Sequence, residues 1–182
     1  MTGIKLLIAA TLLSTSLCAQ DKFYTKTGKI SFYSKAIIEN IEAHNRSVTC
    51  VLDTKTGNVV FSVPIKGFEF EKALMQEHFN ENYLESDKYP RGDFKGQIVN
   101  NSDIDYTKDG VYNAKVKGKL TIHGQTNDIE SDGKVTKEGN KISLFSEFNV
   151  RLPDYKIKNE KLQNISNTIK VTVNCALDPL KG

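Results

Sequence analysis

Tryptophan is absent from this chain, histidine appears three times and proline four times in 182 residues, and each scarcity removes a class of protein. Without Trp, the Cys–Trp–Cys signature of an immunoglobulin-like sandwich cannot be built. The histidines, His44, His78 and His123, form no HxH or HxxxH pair, so no metal site is expected. There is no GxSxG elbow and no cysteine with a plausible partner histidine, which leaves nucleophilic catalysis without its parts. No glycine-rich loop opens a helix in the way a phosphate cradle requires. Lysines and acids alternate along the chain without a basic cluster, and a formal charge of +3 is too small and too evenly spread for nucleic acid. Glu69 and Glu71 sit at alternate positions of a polar face and read as solvated surface. No catalytic residue and no cofactor is therefore expected, and the chain reads as a binding protein rather than an enzyme.

Long apolar runs are scarce too, with one exception at the start. Residues 1–19 carry one base, Lys5, then an uncharged apolar stretch from Leu6 to Leu17, then small residues. This is the layout of a secretory signal peptide, with cleavage expected after Ala19. The stretch falls short of the ~20 residues that span a bilayer, and nothing later in the chain approaches that length. Lipid anchoring through Cys18 is the alternative, which Leu17 directly before it suits poorly. A soluble exported protein, periplasmic or secreted, is expected. Removing the leader takes away Lys5 and no acid, so the formal charge falls from +3 to +2.

What the chain does have is alternation. From Tyr112 to Gly124, YNAKVKGKLTIHG, the residues Tyr112, Ala114, Val116, Leu120 and Ile122 fall on one side, and Lys115, Lys117, Lys119 and Thr121 on the other. A period of two over this length predicts a long strand with one dry face. Similar stretches recur at 29–35, 47–53, 58–65, 94–99, 128–136, 140–151 and 167–177, separated by turn clusters such as TKTGN, NNSD, TKDG and KEGN. Gly57 in the first of these is suited to positive φ. One segment breaks the rhythm: after Gly67, FEFEKALMQEHFNENYL places Leu74, Met75, His78, Phe79 and Asn82 at helical spacing. Eight strands and one helical insertion predict an all-β, eight-stranded antiparallel barrel over residues 20–182, of the lipocalin kind that can hold one small ligand.

Cys50 and Cys175 lie at apolar parity on their strands. An oxidising compartment permits a disulfide between them, and two buried thiols are the other reading. The apolar faces likewise admit two readings, an enclosed cavity or a barrel plugged by its own side chains.

Two segments resemble the YceI-like family. HFNENYLESDKYP, from His78 to Pro90, matches its segment of a histidine, an aromatic-containing stretch and a terminal Tyr-Pro, and LTIHG, at 120–124, matches its strand-ending tag. The chain departs from the family pattern at Gln76–Glu77, at Tyr83–Leu84 and at GDFKG. The resemblance runs from about Gly28 to Leu177 and implies a lipocalin-like barrel that binds polyisoprenoid or another long-chain lipid. It tips the choice toward a cavity and implies ligand contacts at Phe32, Phe61, Phe70, Leu74, His78, Phe79, Tyr83, Leu120, Ile122 and Phe148. His78 is expected either to meet a ligand head group at the barrel mouth or to tie the helix to the rim through a backbone carbonyl. His123 lies at the wet parity of its strand and is expected to stabilise a turn. An interaction module with a plugged barrel, and an isoprenoid- or ester-acting enzyme using His78 and Glu77, stay open as alternatives, and so does the oligomeric state, a dimer included.

Overall fold

The computed structural model describes residues 21–35, 40–157 and 166–180. The expected leader at 1–19 and its Cys18 lie outside the described residues. Among the described residues, nine strands and one short α-helix follow in the order β1 (Lys22–Ser34), β2 (Ile41–Asp53), β3 (Asn58–Pro64), β4 (Phe68–Phe70), α1 (Ala73–His78), β5 (Arg91–Ile98), β6 (Gly110–Ile122), β7 (Gln125–Glu138), β8 (Lys141–Arg151) and β9 (Thr168–Pro179). Every strand except β4 pairs antiparallel with the next in the sequence, and β9 returns to β1. The result is a closed eight-stranded antiparallel barrel. The ninth strand, β4, is three residues long and lies on β2 beyond the end of the β2–β3 ladder.

The first two strands are longer than their alternation suggested, for a visible reason. In β1 the buried residues are Phe23 and Thr25, then Gly28, Phe32 and Ser34, so inward parity switches from odd to even. In β2 it switches between Asn45 and Val48. The β1–β2 register breaks at this place, between Thr25 and Ile30. A bulge inserts a residue and flips every later side chain to the other face, so a strict period of two sees only half of each strand. Asn45 holds the irregularity. Wholly buried, it accepts from the Ser47 amide at 2.9 Å through Oδ1 and donates to the Pro64 carbonyl at 2.8 Å through Nδ2.

Helical spacing also reached too far upstream. Phe68–Phe70 is a strand, paired with Ala43–Asn45, because Phe68 and Phe70 alternate around exposed Glu69 and find an open edge of β2. The helix starts only at Ala73, and Asn82 stays exposed.

Each end of the barrel has its own packing. At one end Leu52, Ile142, Leu177 and Cys175 are completely buried, together with Ile98 and Ile104. At the other, Ile65, Leu84, Val150, Leu152, Tyr155 and Ile157 form a second cluster. Between β5 and β6, Gly96 faces Gly118 across the ladder, and a Cβ on Gly118 would lie 2.5 Å from the Gly96 Cα and 2.7 Å from the Phe94 ring. Phe94 thus lies over two residues that must lack side chains, an aromatic covering a glycine pair. The β5–β6 and β6–β7 ladders run through Gly118 without a bulge, so the inward parity of Tyr112 to Ile122 holds along β6.

Candidate functional site

A cavity of about 510 Å³ occupies the barrel interior, within the range of sites that enclose a drug-sized or lipid-like molecule. Its wall is almost entirely carbon and runs from Ile98 and Ala114, near the packed end, to Ile41, Phe70 and Leu74 beside α1. The barrel is therefore not plugged by its own side chains. All ten residues expected at a ligand site line this cavity: Phe61, Leu120, Ile122 and Phe148 on the strands, Phe32 and Phe70 near the strand ends, and Leu74, His78, Phe79 and Tyr83 on the helical insertion.

The insertion is built around Phe79. Its ring centroid lies 5.6 Å from that of Phe32, 5.5 Å from Phe68 and 5.0 Å from Phe70, in stacked, edge-on and tilted arrangements respectively. Such contacts add about 0.5–1.5 kcal/mol per pair beyond area burial, so this cluster anchors the short helix on the barrel. After α1 the chain opens into a wide turn, Phe79–Tyr83, closed by the Leu84 amide donating to the Phe79 carbonyl at 3.0 Å. A five-residue step inside a helix displaces the face that follows, and such steps recur at functional sites. Here it leaves Tyr83 half-buried against the cavity while Asn82 stays outside.

Two hydroxyls on the wall beside the insertion are poorly served. The Tyr83 hydroxyl and Ser34 Oγ are buried and have no hydrogen-bond partner. A buried hydroxyl without a partner costs about 1–3 kcal/mol. Burial also pushes the Tyr83 phenol above its usual range, keeping it a neutral donor. His78 is half-buried on the cavity wall and makes no hydrogen bond or ion pair with a described residue, so it does not tie the helix to a backbone carbonyl. Ser34 was missed by sequence reasoning. Its signal was parity, since it follows Ile30 and Phe32 on the inward face, but a small polar residue at a strand end reads as surface.

His123 takes no part in the cavity. With φ of 50° it is the first central residue of the two-residue β6–β7 turn, and Gly124, with φ of 70°, is the second. Positive φ at both positions is what a tight I′ hairpin requires. The imidazole is nearly enclosed: Nδ1–H donates to the Tyr155 carbonyl at 3.2 Å, Nε2 pairs with Glu85 Oε2 at 2.6 Å, and the ring meets Tyr89 edge-on at 4.7 Å. LTIHG and the Tyr of KYP thus meet in one knot that fastens the insertion to the β6–β7 hairpin.

Among the described residues no cluster of His, Cys, Asp and Glu can hold a metal ion. Cys50 and Cys175 are free and buried. Burial drives both thiols upward, that of Cys175 to about 11. Of the lysines near the insertion, Lys66 is paired with Asp87 at 2.6 Å and Lys88 lies over the Tyr89 ring at 4.9 Å. No described helix is long and apolar enough to cross a membrane.

The family model of the YceI-like domain matches residues 21–177. The chain belongs to the YceI-like family. Solved structures agree on the fold at low sequence identity. A polyisoprenoid binding domain from Saccharophagus degradans, implicated in plant cell wall breakdown, superimposes with a TM-score of 0.77 at 11% identity, over 88% of this chain and 99% of that one. BcnA from Burkholderia cenocepacia gives 0.68 at 15% identity, over 82% and 95%. A YCEI protein from Campylobacter jejuni gives 0.55 at 14% identity, over 100% and 92%. No curated protein matches the sequence. For this YceI-like chain the likenesses establish a lipocalin-like barrel.

Proposed function

We propose that this YceI-like protein is an exported carrier that sequesters a long apolar molecule, polyisoprenoid or fatty-acyl, inside its barrel. The carrying observation is the carbon-lined cavity of about 510 Å³ with two unpartnered hydroxyls on its wall. Burial of the ligand chain drives binding, and a small number of polar groups fixes its orientation. Tyr83, Ser34 and His78 are the groups that meet a polar head, each facing the cavity without another partner. The Saccharophagus degradans relative is a polyisoprenoid binding domain, which supports the ligand class. Export rests on the leader-like residues 1–19, whose apolar stretch and small-residue end suit a cleaved signal.

Binding rather than turnover is the role assigned to these side chains. Organic extraction of the purified native protein, followed by mass spectrometry of the extract, is expected to yield a long-chain lipid in near-stoichiometric amount. Repeated absence of lipid, together with no thermal stabilisation by added prenols, would overturn the reading. Cell fractionation tests export: the mature chain is expected in the periplasm or the medium, starting at Gln20.

A further inference from the structure

The barrel wall is not paired along its whole length. On one side β7 is bonded to β6 from Gly110↔Lys137 to Ile122↔Gln125. On the other it is bonded to β8 only from Glu138↔Lys141 to Gly133↔Ser146. Beyond that rung, residues 125–132 of β7 and 147–151 of β8 have no ladder between them, while β8 stays paired to β9 up to Arg151↔Thr168. The two strands part into a slit there, the longer of two interruptions in the wall, the other lying between β1 and β9 from Tyr24↔Asp178 to Lys29↔Asn174.

The slit has defined edges. At its base the Asp132 carbonyl, freed from the ladder, accepts from Ser146 Oγ at 2.8 Å and Ser131 Oγ at 3.1 Å, and the two hydroxyls lie 2.7 Å apart. Its top is spanned by Asn127 Nδ2–H donating to the Asp154 carbonyl at 2.9 Å. Ile129 and Phe148 face inward on its two sides, and both line the cavity. The cavity also reaches Lys134 and Phe145, the outward-parity pair one rung below the slit. Phe145 is 42% exposed on an outer face otherwise held by ion pairs such as Lys117–Glu130 and Lys170–Glu147. The cavity lining thus includes residues of both faces of the β7–β8 wall, in addition to the opening beside α1, where Leu74 is 61% exposed.

We infer that the cavity is a passage with two openings, and that a ligand chain longer than the cavity leaves its tail between β7 and β8 while its head stays near Tyr83 and Ser34. The inference rests on the carrier reading above and adds the chain length the site accepts. A closed cup would select against long chains, whereas a slit admits them without repacking the core. The slit is polar at its Ser131–Ser146 base and its Asn127 top, and its flanks between them, Ile129 and Phe148, fit a flexible hydrocarbon.

The test is a latch across the slit. In the full chain, Ser131→Cys with Ser146→Cys places two thiols at the base of the slit, where the hydroxyl oxygens now lie 2.7 Å apart, and oxidation ties β7 to β8 there, disulfide formation being checked by thiol titration. Affinities for geranylgeraniol and for the much longer solanesol are measured in the reduced and oxidised forms, with the wild type carried through the same oxidation. Oxidation is expected to leave geranylgeraniol unchanged and to weaken solanesol at least about tenfold, with recovery on reduction. Equal affinities before and after oxidation for both prenols would overturn the passage and leave the carrier standing. Failure of the wild type to bind either prenol would overturn both. If the double variant does not fold, Ile129→Trp narrows the slit instead and is expected to weaken solanesol at least about tenfold more than geranylgeraniol, an equal loss for both overturning the passage.

Discussion

The half of the barrel around Leu52, Ile142 and Leu177 and the half around Phe79 and Tyr83 are made from the same strands, yet they settle their side chains in opposite ways. In the first half, aliphatic residues reach complete burial, the β5–β6 wall is drawn tight over Gly96 and Gly118, and the β7–β8 ladder is bonded from Glu138↔Lys141 to Gly133↔Ser146. In the second, the inward residues leave a cavity, two hydroxyls lack partners, and the β7–β8 wall parts. Tight packing and full pairing stabilise a fold whether or not a ligand is present. Space and unmet polar groups in the other half cost stability, and persist where a bound molecule fills them. The contrast divides the molecule into a structural base and a receptive upper half.

The largest expected effect tests the base. Leu177→Ala should lower stability by about 2–5 kcal/mol in urea unfolding, and prenol affinity of the folded fraction should stay as it was. Phe79→Ala should cost less stability, at most about 3 kcal/mol because the ring is only half-buried, yet reduce prenol affinity at least about tenfold. The division fails if Phe79→Ala destabilises more than Leu177→Ala and still binds normally. Tyr83→Phe sharpens the contrast by its sign. Deleting an unpartnered hydroxyl should leave stability unchanged or raise it by up to about 1–3 kcal/mol, while calorimetry shows weaker binding of an alcohol-headed prenol.

A pH effect comes next. The Cys175 thiol is held up to about 11 by burial, so between about 9 and that value the unfolded chain has lost a proton that the folded chain keeps. Stability should therefore fall as pH rises through this window, by at most about 1.4 kcal/mol per pH unit, and the fall should be shallower in Cys175→Ala. An equal slope in the variant would remove the buried thiol from the account. The smallest effect belongs to the outer wall: Lys117→Ala breaks an exposed ion pair with Glu130 and should change stability by less than about 1 kcal/mol, with binding untouched.

Much of the architecture was legible because most strands obey a strict alternation. The inward face of β6, from Tyr112 to Ile122, sits as its period of two requires, and Gly57 takes a φ of 74° in the turn expected of it. The first halves of β1 and β2 were not legible, since a bulge near Gly28 and Asn45 flips the parity and no local pattern announces it. Phe68–Phe70 read as helix because two aromatics two apart suit either period until an open strand edge is known to lie beside them. At the site, large apolar residues were found from pattern and family resemblance. Ser34, Ser131 and Ser146 were passed over, since small polar residues carry no burial signal of their own.

His78 and His123 mark the boundary between the two kinds of knowledge. The sequence by itself determined that strands would alternate, that the chain would close an apolar interior, and that His123 would serve a turn, because these follow from side-chain period within a few residues. Only the tertiary structure decided that the interior is a cavity, that His78 and Tyr83 face it without partners, and that β7 and β8 separate above Gly133. Those outcomes depend on how side chains far apart in the chain share one volume, and no local pattern encodes how well they fill it.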